Sequence, residues 1–388
     1  MRRLPEALGR PFAVALVVAT LYAAYAGAKL YASGWDVTTF IVAGDAVVDP
    51  RRTPSPIRVR ENSAGYDGQY YYRVALDPFP TEPVKFGVTL DRPAYRSQRV
   101  LYPLVARLLA FGRPALVPWT LVLVNLIAVA AIGYAGAAAA KRFGVDGWFG
   151  LTLGLYPGLL LSFSRNLTEP LALALVLVSL LLLGRSKHVA ATVVLALAVL
   201  ARETALLVAG VAAVLWLLSR RRSGVGLMPQ VPWHYFVVPA VVFVVWQGAL
   251  WANWGQVALL GGSGTPRNLP LTGIWDGFLL ASRRGAGLPW LWLLEVAYLI
   301  ALWVAGGWVL RRSPAGLLEK GSFVLFVLLC LVLSGPLWEE DWGFLRIGVD
   351  AAVLGTLVLV VSRSRMKVPA LVATGAVWAA LAVLYYRA

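Results

Sequence analysis

Apolar runs of roughly 15 to 22 residues recur along the whole chain, separated by short stretches rich in lysine and arginine. A helix needs about 20 residues to cross ~30 Å of hydrocarbon, so runs of this length and number restrict the chain to a membrane-embedded helical bundle. Composition agrees. Of 388 residues, 59% are hydrophobic and 14% charged, with a mean hydropathy of +0.72. A soluble domain is nearer to a quarter charged, and one aqueous core cannot hide this much apolar surface. The expected fold is all-α: a single polytopic transmembrane domain over residues 1–388 with about eleven spans. They fall near 12–31, 115–139, 147–163, 167–184, 188–200, 204–219, 233–252, 290–310, 321–335, 346–362 and 368–386.

The formal charge of +16 does not point to nucleic acid, because it lies in short clusters between apolar runs rather than along one face. Those clusters are topology signals. Arg2, Arg3 and Arg10 put the N-terminus in the cytoplasm. The loops bearing Lys141/Arg142, Arg185/Lys187, Arg220/Arg221/Arg222, Arg311/Arg312/Lys320 and Arg363/Arg365/Lys367 then share that side. The expected location is the plasma membrane, multi-pass, with the site on the outer face. Met1 to Ala28 has the look of a signal peptide, but its apolar stretch is long enough to serve as the first span. Basic clusters flank both ends of 188–219, so both ends face the cytoplasm and the segment must turn back at Arg202-Glu203 as two short helices.

Two long connections face outward in this topology. Residues 32–114 are polar, aromatic and basic, with short amphipathic helices expected; 100–112 reads as one, too short to span. Residues 253–289 are rich in glycine and proline and carry Arg267, Asp276, Arg283 and Arg284. Four carboxylates, Glu169, Glu203, Glu295 and Asp350, lie inside apolar spans or at their edges, all near the outer ends. An ionisable group in a span is costly, and four at one depth suggest a shared polar cavity. Pairing with Arg165, Arg202 or Arg346 to hold helices together is the simpler role for each one singly.

No P-loop, His-Glu-x-x-His or Gly-x-Ser-x-Gly occurs. His188 and His234 sit at cytoplasmic helix starts, and the single cysteine, Cys330, rules out an intramolecular disulfide. What remains is carboxylate chemistry beside arginines: a carboxylate as general base on a hydroxyl, guanidiniums as bidentate holders of phosphate. Asp67 lies in Gly65-Tyr66-Asp67-Gly68-Gln69, among aromatic side chains suited to stacking on a sugar. Asp45 is closer to the first span. Either is a candidate base, and a turn or cap is the structural alternative for both; Asp36 in Gly-Trp-Asp reads as a cap. Arg73, Arg96, Arg99 and Arg346 are candidate phosphate holders. Tyr66, Gln69, Tyr71, Glu169, Arg202, Glu203, Glu295 and Asp350 are candidate cavity or acceptor contacts.

The order of features resembles the GT-C superfamily of membrane glycosyltransferases: one helix, a long outer loop with an early aspartate and a short amphipathic helix, then a bundle. Tyr66-Asp67-Gly68-Gln69-Tyr70-Tyr71-Tyr72-Arg73-Val74-Ala75 is similar to the Trp-Asp-x-x-x-Phe-x-x-Ile-Ala stretch of PIG-V-type mannosyltransferases, with Tyr66 in place of tryptophan. Leu101-Tyr102-Pro103-Leu104 resembles their Phe-Pro-Leu element, and Ser164 to Leu171 their Tyr-Ser-Glu-Ser-Leu element. Ala201-Arg202-Glu203-Thr204 falls where they carry Thr-Arg. The resemblance covers roughly residues 30 to 220. It implies a glycosyltransferase of the cell envelope. The donor would be a polyprenyl-phosphate sugar, with mannose or another hexose or pentose as the sugar, and the acceptor a lipid, glycan or protein. No nucleotide-sugar site is implied; a divalent metal is an optional cofactor. The alternative from the residues alone is a multi-span transporter or lipid flippase, for which an internal repeat is expected and not found.

Overall fold

The computed structural model describes residues 11–221, 231–261, 269–283 and 288–387. Arg2, Arg3, Arg10, Arg222, Arg267 and Arg284, and positions 262–268 and 284–287 of the 253–289 connection, lie outside the described residues. In chain order the helices are α1 (Pro11–Ala32), α2 (Gly68–Leu76), α3 (Pro93–Ser97), α4 (Leu101–Leu109), α5 (Val117–Arg142), α6 (Leu151–Gly154), α7 (Pro157–Phe163), α8 (Glu169–Gly184) and α9 (His188–Ala201). They continue with α10 (Leu206–Arg221), α11 (His234–Trp254), α12 (Thr272–Ser282), α13 (Leu288–Val309), α14 (Leu317–Leu331), α15 (Gly335–Trp338), α16 (Asp341–Ile347), α17 (Val349–Val360) and α18 (Lys367–Tyr385).

Six stretches among the described residues are long and apolar enough to cross a membrane: Pro11–Ala32, Pro114–Arg142, Glu203–Arg220, His234–Trp254, Trp290–Val309 and Lys367–Tyr385. Three more apolar helices, Glu169–Gly184, His188–Ala201 and Val349–Val360, are shorter. Two of the predicted spans are not single helices. In 147–163 the backbone turns extended at Tyr156 (φ −58°, ψ 127°), because the ring of Pro157 excludes α geometry from the residue before it, and the stretch divides into a 3₁₀ turn, α6 and α7. In 346–362, α16 ends at Gly348 and α17 continues for 12 residues, all buried. At 1.5 Å per residue α17 is roughly 18 Å long, sealed by α13 and α14 rather than by lipid.

The predicted break at Arg202-Glu203 is present. Arg202 is extended (φ −158°, ψ 128°) between α9 and the 3₁₀ turn that opens α10. The predicted helix within 100–112 is α4. The connection between α1 and α5 is more ordered than an all-α reading allows. Two-residue strands β1 (Ala43–Gly44) and β2 (Val59–Arg60) pair in parallel, and β3 (Val84–Lys85) and β4 (Val88–Thr89) pair antiparallel. Tyr71, Tyr72, Val88, Tyr102 and Ala106 form a core with Leu121 and Val124 of α5, so the connection is docked on the helices. Tyr102 donates to the Leu121 carbonyl (3.0 Å), and Asn125 donates to Tyr102 (3.0 Å) and to the Leu167 carbonyl (2.9 Å).

Candidate functional site

Two close backbone approaches bring the site together. Gly68, the first residue of α2, packs so tightly that a Cβ there would collide with the carbonyl oxygens of Arg165 and Ile41. This presses Asp67 against the turn between α7 and α8. Gly158 of α7 meets the Leu345 carbonyl in the same way, and Tyr156 donates to that carbonyl (2.9 Å), which fixes Arg346 of α16. The α7–α8 turn passes through Asn166 in the left-handed region (φ 51°), a conformation asparagine tolerates better than most side chains. Thr168 then donates to the Ala201 carbonyl (2.6 Å), holding the start of α8, and with it Glu169, beside the α9–α10 break.

The result is one continuous chain of alternating charge. Arg96 donates through Nε to Asp91 (2.7 Å) and through Nη1 to Asp67 (2.8 Å). Asp67 also meets Arg346 Nη1 (3.4 Å), Arg346 Nε approaches Glu169 (3.8 Å), and Arg202 joins Glu169 (3.8 Å) to Asp350 (3.2 Å). Beside it, Arg99 forks onto Glu203 (3.0 and 2.6 Å) and donates to the Tyr71 hydroxyl (3.2 Å). Side-chain exposure is 42% at Asp91, 28% at Asp67, 2% at Glu169 and 10% at Asp350, so the chain runs from the surface into the interior. Burial pushes the Asp67 carboxyl up, but the guanidiniums of Arg346, Arg96 and Arg99 outweigh it and hold Asp67 below the usual range. Tyr66 stacks between Arg165 (4.7 Å) and Arg346 (5.3 Å), and Arg96 lies on the ring of Tyr70 (3.8 Å).

The structure therefore gathers Asp67, Arg96, Arg99, Arg346, Tyr66, Tyr71, Glu169, Arg202, Glu203 and Asp350. Other expected residues lie elsewhere. Arg73 is fully buried, facing Asp77 (3.6 Å), the Glu82 carbonyl (3.3 Å) and the ring of Phe86 (5.4 Å), so it holds the connection together and is not beside Asp67. Gln69 accepts from the Gly44 amide (3.1 Å) and donates to the Ala64 carbonyl (2.8 Å), which leaves it no role as a cavity contact. Asp45 is exposed, with its carboxylate clamped by the amides of Asn62 (2.8 Å) and Ser63 (2.9 Å), which hold it below the usual range. That is a turn clamp rather than a base. Asp36 caps the turn at Val37–Phe40, as expected. Glu295 is buried on α13, within electrostatic reach of Tyr156.

Sequence reasoning overlooked Asp91, whose only signal is its place two residues before the proline that opens α3. It also overlooked the Asn166 side chain, fully buried with neither amide atom partnered among the described residues, a condition that native structures rarely hold without a purpose. No three His, Cys, Asp or Glu side chains among the described residues could hold a metal together, because each acid of the chain is turned to an arginine. Asp67, Tyr70, Tyr71, Tyr95, Arg96 and Arg99 line a cleft of about 10 Å³, room for roughly one water. A cavity of about 930 Å³ lies at the other ends of α5 and α8, beside Arg142, Leu180, Gly184 and Glu319, away from this chemistry. The chain matches no protein-family profile and no curated protein.

Proposed function

We propose that this protein is a membrane glycosyltransferase that moves a sugar from a polyprenyl-phosphate donor to a lipid, glycan or protein acceptor at the outer face of the plasma membrane, with inversion. In this reading all eleven apolar segments, including the short and broken ones, belong to the membrane domain, with the N-terminus in the cytoplasm. The observation that carries the reading is Asp67, a partly exposed carboxylate touching two guanidiniums at the surface end of a buried charge chain.

The chemistry follows from that contact. Arg96 and Arg346 are donors that a phosphate can share, and an incoming phosphate competes with Asp67 for them. As the guanidiniums turn to phosphate, the charge that lowers Asp67 is drawn off and its basicity rises. Asp67 then takes the proton of the acceptor hydroxyl, the acceptor oxygen bonds to the anomeric carbon, and the bond from that carbon to the phosphate oxygen breaks. Polyprenyl phosphate leaves with its negative charge facing Arg96, Arg99 and Arg346, and the proton on Asp67 passes to water. A cleft with room for one water does not admit a sugar, so entry requires α3, which carries Tyr95 and Arg96, to move aside. This α3 is held from the bundle side by Ala94 against Leu250 and Ala258.

The test is turnover by Asp67→Asn in membranes supplied with radiolabelled polyprenyl-phosphate sugars and lipid extract. General-base catalysis is worth ~10²–10⁴-fold, and a loss of that size with donor binding retained is expected. Near-full turnover in Asp67→Asn would reject the mechanism. Flux of an intact lipid-linked sugar across proteoliposomes without transfer would favour the transporter alternative.

A further inference from the structure

The end of the bundle opposite the Asp67 chain contains the cavity of about 930 Å³. Glu169 opens α8 and Gly184 closes it, so at about 1.5 Å per residue the length of α8, roughly 22 Å, separates this cavity from that chain. Its inner wall is apolar: Leu180 of α8, Leu318 of α14 and Leu357 of α17 are all buried. Its rim is charged, with Arg142 at the end of α5, Arg220 in the last turn of α10 and Glu319 in the first turn of α14. The walls cannot close on this space without breaking hydrogen bonds between helices. Ser179 of α8 donates to the Ala191 carbonyl of α9 (2.7 Å) and shares a hydrogen bond with the Tyr235 hydroxyl of α11 (2.9 Å). Ser313 donates to the Val358 carbonyl of α17 (2.6 Å), and Lys320 of α14 donates to the Ser313 carbonyl (2.7 Å). Protein interiors otherwise pack with few voids larger than a water, and roughly 300–1,000 Å³ is the size of a ligand pocket.

The rim guanidiniums are placed to meet a ligand. Arg142 lies against Gly184, in the space that a Cβ on Gly184 would take, and Arg220 lies over the ring of Trp216 (4.1 Å). Both arginines are exposed, so they can turn to a phosphate without breaking a buried ion pair. A guanidinium fork suits phosphate, and basic pockets between membrane helices take phospholipid head groups. Glu319 lies within electrostatic reach of Arg142. These three side chains sum to one positive charge, which a phosphodiester, with one negative charge, balances. Trp216 and the exposed Trp233 stand at the same rim, as tryptophans do at a membrane–water interface. Residues 222–230, which lead from α10 toward α11, lie outside the described residues, so a direct count of bound lipid, rather than the size of the space, decides the occupant.

We propose that this cavity binds a membrane phospholipid, with the phosphate between Arg142 and Arg220 and an acyl chain along Leu180, Leu318 and Leu357. The inference does not depend on glycosyl transfer, because no residue of the Asp67 chain takes part. A free phosphate shares the head-group chemistry but leaves the apolar wall uncovered; a lipid meets both the wall and the rim.

The experiment uses the full chain in detergent micelles and three probes. Phosphatidylglycerol and a diacylglycerol with the same acyl chains are added at equal mole fraction, and retained lipid is counted by native mass spectrometry. Glycerol phosphate is the soluble competitor. Phosphatidylglycerol should be retained about tenfold or more above diacylglycerol, and Arg142→Gln/Arg220→Gln should lower that retention by about tenfold or more. Both side chains are exposed, so this variant keeps the fold. Leu180→Trp, which fills the apolar wall and leaves the rim in place, must also release the lipid. Several results overturn the proposal: no retained lipid, equal retention of the two lipids, or displacement of phosphatidylglycerol by an equal concentration of glycerol phosphate. So do unchanged retention in both variants and an equal loss in the control Arg113→Gln, whose side chain is exposed at the other end of α5.

Discussion

The pair Arg99–Glu203 fastens the α1–α5 connection to the break between α9 and α10, and its energetics are open to a direct test. Both side chains are largely withdrawn from water, 14% and 19% exposed, and the fork makes two hydrogen bonds of 3.0 and 2.6 Å. Glu203→Leu leaves the guanidinium, among the described residues, with the Tyr71 hydroxyl at 3.2 Å and the ring of Tyr95 at 5.9 Å. Removing one partner of a buried pair costs roughly 3–5 kcal/mol, chiefly from the charge left behind, and residual exposure places this pair near 3. Arg99→Met strands the Glu203 carboxylate at a similar cost. The double variant strands neither charge, so it should lose less than either single variant, below about 3 kcal/mol rather than the additive ~6, a coupling of about 3 or more. The assay is reversible unfolding in mixed micelles, followed by the emission of the chain's 16 tryptophans, with all four proteins in one cycle. Additivity within about 0.5 kcal/mol refutes the argument. So do single losses below about 1 kcal/mol, which would mean the pair is screened like one at a water-exposed surface.

Asp45→Asn should keep turnover within a few-fold of wild type in the radiolabelled transfer assay, because the Asp45 carboxylate is engaged in a turn, one oxygen to each of two amides, and the variant gives up only one of those two hydrogen bonds. Arg96→Lys should weaken donor binding by about tenfold or more through loss of the fork, whereas Arg73→Lys, buried against Asp77, should leave donor affinity unchanged; equilibrium binding of the labelled donor separates the two. Gly68→Ala should separate Asp67 from Arg165 and lower stability by about 1–3 kcal/mol, while Gly27→Ala, with open space around it, should be tolerated; mixed-micelle unfolding compares them. Asp67 has a lowered folded value, so its ion pairs contribute in full above about pH 4, and that contribution is lost as pH falls through the lowered value. Unfolding midpoints of wild type and Asp67→Asn should therefore differ at pH 7 and converge in acid.

Local chemistry made much of this protein legible from its sequence. Apolar run length fixed the helical class, because no other structure satisfies its backbone within hydrocarbon. The break at Arg202-Glu203 followed from two charged residues between basic-flanked runs. The Tyr-Asp-Gly turn at Asp67 was visible because it opens a helix, α2. Arg73 shows the limit of nearness in sequence. It sits six residues after Asp67, and at about 100° per residue α2 turns it roughly 240° around the axis, toward Asp77 and Phe86.

Only the tertiary structure decided which charges meet. Asp67 reaches Arg96 across 29 positions and Arg346 across 279, and Arg202 reaches Asp350 across 148. No local period encodes such distances; they depend on Gly68 and Gly158 letting separate backbones touch. The same holds for the cavity beside Gly184, where Arg142 of α5 and Arg220 of α10 line one space. Sequence sets which side chains carry charge and which segments prefer lipid. The close contacts between segments set which of those charges meet.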